Sequence, residues 1–124
     1  WEKAARGTDG RTYPWGDDEP TEKHARYLSE SRIDASACPA GASPYGCLNM
    51  AGNVFEWVHD WYSKHHYAEA TLNDPTGPRT GTKRVLRGGS FVHKPFALRC
   101  ATRGRYAPDE RRANHGFRCA WSLD

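Results

Sequence analysis

The chain is poor in several features that define common functional classes. It has one Met, and its four Cys form no C-x-x-C pair, which argues against a zinc site. No long apolar run occurs and mean hydropathy is −0.89, which excludes a membrane-spanning helix. No basic-then-apolar leader opens the chain, and position 1 is Trp rather than Met, so the sequence reads as a processed product or a fragment. Acidic residues are scarce late in the chain: between Arg79 and Arg118 only Asp109 and Glu110 face a crowd of bases. Such a cluster suits an anionic partner. The simpler alternative is a loop-rich fold in which the arginines serve backbone carbonyls and buried carboxylates. No nucleic-acid motif accompanies the charge. Repeats, low-complexity tracts, a Ser-His-Asp order, paired-carboxylate spacing and a phosphate-cradling glycine loop are also missing.

What is present is one domain's worth of chain, 124 residues, with five Trp and six Tyr for an aromatic core. The densest aromatic block runs from Leu48 to Tyr62. In an extended chain Phe55, Trp57 and Trp61 share one side, and Val54, Glu56, Val58 and Asp60 the other, as in a short strand. Asn53 and Glu56 also match a capping box, with Val54, Trp57, Val58 and Trp61 on one helical face. The residue types tip the balance to a strand.

Elsewhere, Trp1 to Arg6 reads as a helix end stopped by Gly7, and Asp9-Gly10 as a turn. Tyr13 to Gly16 is a short extended piece with Trp15 buried, and Asp17 to Lys23 a solvated loop. Cys38 to Gly46 is a connector whose two flanking cysteines either bond across it or stay free. Ser63 to Gly81 is loop, punctuated by Asp74-Pro75 and Gly77-Pro78. The last third reads as an antiparallel meander: strands at Arg84–Arg87, Ala97–Arg103 and Gly116–Trp121, a break at Gly88-Gly89, and an exposed connection from Tyr106 to Arg112.

Asn49 and Glu56 offer hard oxygen ligands, and Gly52 lets the chain turn so that the carbonyls of Gly52 and Val54 converge with them. An oxygen-only set suits calcium. The competing role for Asn49 and Glu56 is to satisfy buried backbone groups. His59, His65 and His66 near Asp60 match no established ligand spacing and read as a solvated loop.

Gly52-Asn-Val-Phe-Glu-Trp-Val-His-Asp-Trp-Tyr62 resembles the signature of the formylglycine-generating enzyme, or sulfatase-modifying factor, domain family. The resemblance extends in family order through Trp1–Gly7, Tyr13–Gly16, Arg84–Phe91 and Gly116–Ala120. It implies an α+β, C-type-lectin-like fold with short antiparallel strands and long irregular loops. It also implies that residues 1–124 are the C-terminal part of one such domain, to be completed by an N-terminal segment or a protein partner. The same resemblance places calcium at Asn49, Gly52, Val54 and Glu56, and puts Arg26 where a second calcium site has an Asn. Competent oxidases of the family carry two copper-binding cysteines after the Gly-Gly-Ser motif. Here His93 stands at the first position and the second has no counterpart, so no catalytic residue is expected. Cys100 and Cys119 match cysteines that pair with upstream partners, and the nearest corresponding position is Ala5. Paired cysteines would point to a periplasmic or extracellular compartment.

These features predict a non-oxidase, calcium-stabilised binding or accessory module. Its surface would be built from Phe91, His93, Lys94, Phe96, Arg103, Tyr106 and Arg111, for an anionic or peptide ligand and with no nucleic acid or membrane span. Two rivals stand beside it: the substrate-binding part of an oxidase or sulfoxide synthase whose reactive metal comes from elsewhere, and a diversified ligand-binding protein.

Overall fold

The computed structural model describes residues 1–69 and 75–121. Four short strands form its sheet: β1 (Phe55–Trp61), β2 (Arg84–Arg87), β3 (Arg103–Tyr106) and β4 (His115–Gly116), in the order β3-β2-β1-β4. β1 pairs antiparallel with β2 (Glu56 opposite Arg87, Trp57 opposite Leu86), and the register slips between Trp57 and Trp61. β2 pairs antiparallel with β3, Arg84 facing Tyr106 and Arg87 facing Arg103. The strand reading of the central block thus holds. Its two faces are not simply in and out, because Phe55 and Glu56 are both buried.

The meander is corrected in two places. β4 lies parallel to β1, with Phe55 opposite His115 and Glu56 opposite Gly116, and it is two residues long rather than six. The chain leaves the sheet at once because Arg118 turns inward to Glu56. The segment expected as a strand from Ala97 instead begins as a 3-10 turn, Pro95–Leu98, and only Arg103 enters β3. Pro95 fixes φ at the start of that turn. Ala97 and Leu98 are both buried, and adjacent buried side chains suit a turn better than an alternating strand.

Helix α1 (Glu2–Arg6) ends as expected at Gly7, whose φ of 73° the glycine allows, and the Gly7 N–H donates to Lys3 O at 2.8 Å. Five residues do not sustain a helix alone. This one is anchored by Glu2, which bonds Arg6 at 3.1 Å and also the buried Arg87. A second single turn, α2, spans His66–Glu69. Asp74, expected to punctuate the following loop, lies outside the described residues.

Small side chains fill the middle of the core. One cluster joins Tyr13, Ala25, Ala51 and Leu98; another joins Ala5, Met50 and Cys100. The aromatic core is therefore only partly realised: Tyr13, Phe55 and Phe91 are buried, whereas Trp1, Trp15, Trp57 and Trp61 are half-buried and Trp121 is exposed. Trp15, expected inside, stacks between Tyr13 (5.0 Å) and His24 (4.8 Å) at the rim. All four cysteines are free thiols, so Cys38 and Cys47 do not bond across their loop. Cys38 Sγ turns to Glu22 O instead. Burial pushes the Cys100 thiol up to about 11. Ala5 packs in the same cluster as Cys100.

Candidate functional site

Strand β1 carries Glu56 into the interior, 5% exposed, where two cationic or polar donors meet it. Arg118 grips the carboxylate with both arms, Nη2 to Oε1 at 2.6 Å and Nε to Oε2 at 2.8 Å. Trp1 Nε1 donates to Oε2 at 2.7 Å. Arg118 Nη2 also reaches Leu48 O (2.8 Å) and Asn49 O (3.3 Å), and its pairing with Glu56 raises the guanidinium pKa.

Asn49 stands beside this pair with a left-handed backbone, φ 52°, which Asn tolerates better than most residues. Its Nδ2 donates to Ala35 O (2.7 Å) and Ala37 O (3.2 Å), which fixes the amide. Its Oδ1 is buried with no hydrogen-bond partner. Gly52 turns the chain at φ 75°, and a Cβ there would press into Arg26 O. A buried oxygen lacking a donor, in a set made only of oxygens, fits a hard cation. Glu56 and Asn49 also perform the structural role expected of them, since each satisfies buried donors or acceptors. Among the described residues no three His, Cys, Asp or Glu cluster as metal ligands, so any ion here would face a single carboxylate.

A second constellation surrounds Phe55. Ser90, fully buried, shares a 2.7 Å hydrogen bond with His93 Nδ1 and accepts one from Asn114 Nδ2 at 2.9 Å. His93 meets Phe55 edge-on at 4.7 Å. His115 lies among Trp57 (5.5 Å, perpendicular), Tyr106 (4.7 Å) and Phe55 (6.2 Å), and both of its ring nitrogens are buried without partners. Perpendicular aromatic rings accept weak N–H contacts, which accounts for an imidazole held there. Burial lowers the pKa of both histidines; the Arg112 charge lowers that of His115 further.

The arginines are mostly engaged with the backbone, as the simpler reading of the charge anticipated. Arg84 reaches His59 O, Arg87 reaches Cys100 O, Arg99 reaches Phe96 O and Arg103 reaches Ser63 O. Arg103 and Arg105 also stack on Tyr62, and Arg103 on Tyr67. Trp1, Trp57, Trp61 and Arg103 border a cleft of about 740 Å³.

The sulfatase-modifying factor enzyme 1-like domain model matches residues 1–123. The chain belongs to this family. It is 38% identical over 137 residues to the formylglycine-generating enzyme of Mus musculus, covering 97% of this chain and 37% of that enzyme. It is 41% identical to the serine/threonine-protein kinase Pkn1 of Chlamydia trachomatis, covering 97% of this chain and 20% of the kinase. Against the hercynine oxygenase of Mycolicibacterium smegmatis, identity is 34%, with coverage of 99% and 32%. Among solved structures, the Treponema denticola variable protein 1 superposes with a TM-score of 0.78 at 30% identity over 94% of this chain and 41% of that one. PvdO from Pseudomonas aeruginosa superposes at 0.67 and 26%, over 94% and 47%. The chain thus spans under half the length of each of these relatives, and it has the family's C-type-lectin-like α+β fold.

The surface residues expected from the sequence of this sulfatase-modifying factor-like domain do not form one patch. Phe91 is buried, so it lies beneath the surface rather than on it. Lys94 and Phe96 are exposed around the Pro95–Leu98 turn, and Arg111 is exposed on the loop before β4. His93 and Tyr106 approach from either side of Phe55 and His115. Arg103 is turned to Tyr62 and Tyr67 at the cleft. Val54 is half-buried behind Gly116. Arg26, at the second presumed calcium position, bonds Ser31 O at 3.1 Å. Ser90, Asn114, His115 and Arg118 were not anticipated as site residues. The i, i+3 spacing of Ser90 and His93 was a legible signal; the others meet across long stretches of chain.

Proposed function

We propose that this chain is a non-oxidase member of its family, a calcium-stabilised binding or accessory module. The observation that carries the reading is at His93. The position that resembles the oxidases' first copper cysteine holds an imidazole, tied to Ser90 at 2.7 Å. The cysteine that follows in sequence, Cys100, is wholly buried with its thiol pKa raised to about 11. Copper(I) is held by soft, accessible thiolates, and a buried protonated thiol supplies none.

Calcium is assigned to Asn49 Oδ1, the carbonyls of Gly52 and Val54, and Glu56, supported by the orphaned Asn49 oxygen. The ion would supply structural cohesion, tying the turn at Gly52 to β1. His93, Lys94, Phe96, Tyr106 and Arg111 would present mixed cationic and aromatic groups to an anionic or peptide ligand, with Phe91 bracing them from below and Arg103 serving the cleft. The relative that is a protein kinase supports a module appended to other machinery. The hercynine oxygenase relative supports the second reading, part of an oxidase whose reactive metal is held elsewhere.

The test is incubation of the purified chain with copper(I), oxygen and a sulfatase-type cysteine peptide, read by mass spectrometry. Unchanged peptide is expected. Formylglycine product, in a preparation free of other oxidases, overturns the assignment.

A further inference from the structure

We infer that Arg118 is a built-in rival of calcium for the oxygens around Glu56, so that the ion enters only as the guanidinium leaves. This rests on the calcium reading above. Arg118 Nη2 lies near three acceptors, Glu56 Oε1 at 2.6 Å, Leu48 O at 2.8 Å and Asn49 O at 3.3 Å. A guanidinium nitrogen of this kind has two hydrogens, so the oxygens outnumber the donors they surround. Such an oversubscribed group of oxygens is what a spherical cation satisfies better than a planar one.

The two partners differ in freedom. The Glu56 side chain is 6% exposed, whereas that of Arg118 is 37% exposed on the chain's last described stretch. Arg118 has a route to solvent, and Glu56 has none. When Arg118 swings out, Trp1 Nε1 still holds Oε2 and the fixed Asn49 amide still directs its unpartnered Oδ1 inward. The carboxylate and guanidinium together are formally neutral, so a divalent ion gains little attraction until the guanidinium departs. Calcium affinity follows ligand charge, and a site with one carboxylate already neutralised belongs with the weakest class, Kd of about 10⁻⁴–10⁻³ M.

The experiment is a calcium titration followed by calorimetry and by thermal melting, on the wild-type chain, Arg118→Gln, Arg118→Lys and Glu56→Gln. Arg118→Gln is expected to melt lower than wild type without calcium, since a buried carboxylate loses its partner. It should then bind calcium at least about tenfold more tightly, with a larger rise in Tm. Arg118→Lys, which keeps the charge but not the two-armed grip, should bind between the two, and it decides the matter if Arg118→Gln does not fold. Glu56→Gln should bind none. If wild type binds calcium and both Arg118 variants bind it equally or more weakly, Arg118 supports the ion and the rivalry is wrong, while the calcium reading stands. If none of the chains binds at millimolar calcium, the calcium reading itself fails.

Discussion

Asn53 holds Ile33 through both ends of its side-chain amide. The Ile33 N–H donates to Asn53 Oδ1 at 3.0 Å, and Asn53 Nδ2 donates to Ile33 O at 3.1 Å. The pair imitates one rung of a sheet across a loop that has none. Asn53 is 7% exposed and sits at φ 58°, so conformation and bonding both select Asn. Asn53→Ala should lower stability by about 1–3 kcal/mol, by chemical denaturation, because both Ile33 groups lose their partner. Asn53→Asp keeps the acceptor and loses the donor, so its loss should be smaller.

The two histidines around Phe55 make stability depend on mildly acidic pH. Both have pKa values below the usual 6.5 in the folded chain, so the unfolded chain binds more protons there. Their contribution is complete above pH 6.5 and is lost as pH falls from 6.5 through the folded values. Tm should therefore fall between pH 7 and pH 5. Asp9, held at about 2 by Arg11, acts only below its usual 3.8 and leaves that window clear. His115→Gln should flatten the profile; an unchanged slope in both His115→Gln and His93→Gln would count against this origin.

Gly52 is the residue on which the turn into β1 depends. Its φ of 75° and the closeness of Arg26 O leave no room for a side chain. Gly52→Ala should cost on the order of 2 kcal/mol or more. The loss should appear in the thermal melt with or without calcium, since the clash is between backbone and Cβ. A variant as stable as wild type would show that this loop rearranges freely.

The parts legible in sequence were those with a local signature. Aromatic and β-branched residues at alternate positions marked β1, and Gly7 marked the end of α1, because each is decided within a few residues of chain. The parallel placement of β4 was not legible, since it is governed by Arg118 reaching Glu56 sixty-two positions away. The turn at Pro95–Leu98 was masked by strand-like residue types, and only the burial of both Ala97 and Leu98 reveals it. At the candidate site, Asn49 and Glu56 could be named from their chemistry. Their occupation by Ala35, Ala37, Trp1 and Arg118 depends on long-range contacts. His115 carries no local sign of its aromatic box for the same reason.

The account turns on a hard cation at the oxygens of Asn49, Gly52, Val54 and Glu56, and thermal melting of the wild-type chain beside Glu56→Gln tests it most directly. Calcium at millimolar concentration should raise the wild-type Tm and EDTA should reverse the rise, because an ion that binds only the folded chain stabilises it by mass action. Glu56→Gln should melt lower than wild type and ignore both additions. A wild-type melting curve indifferent to EDTA and to added calcium would contradict the calcium-stabilised module.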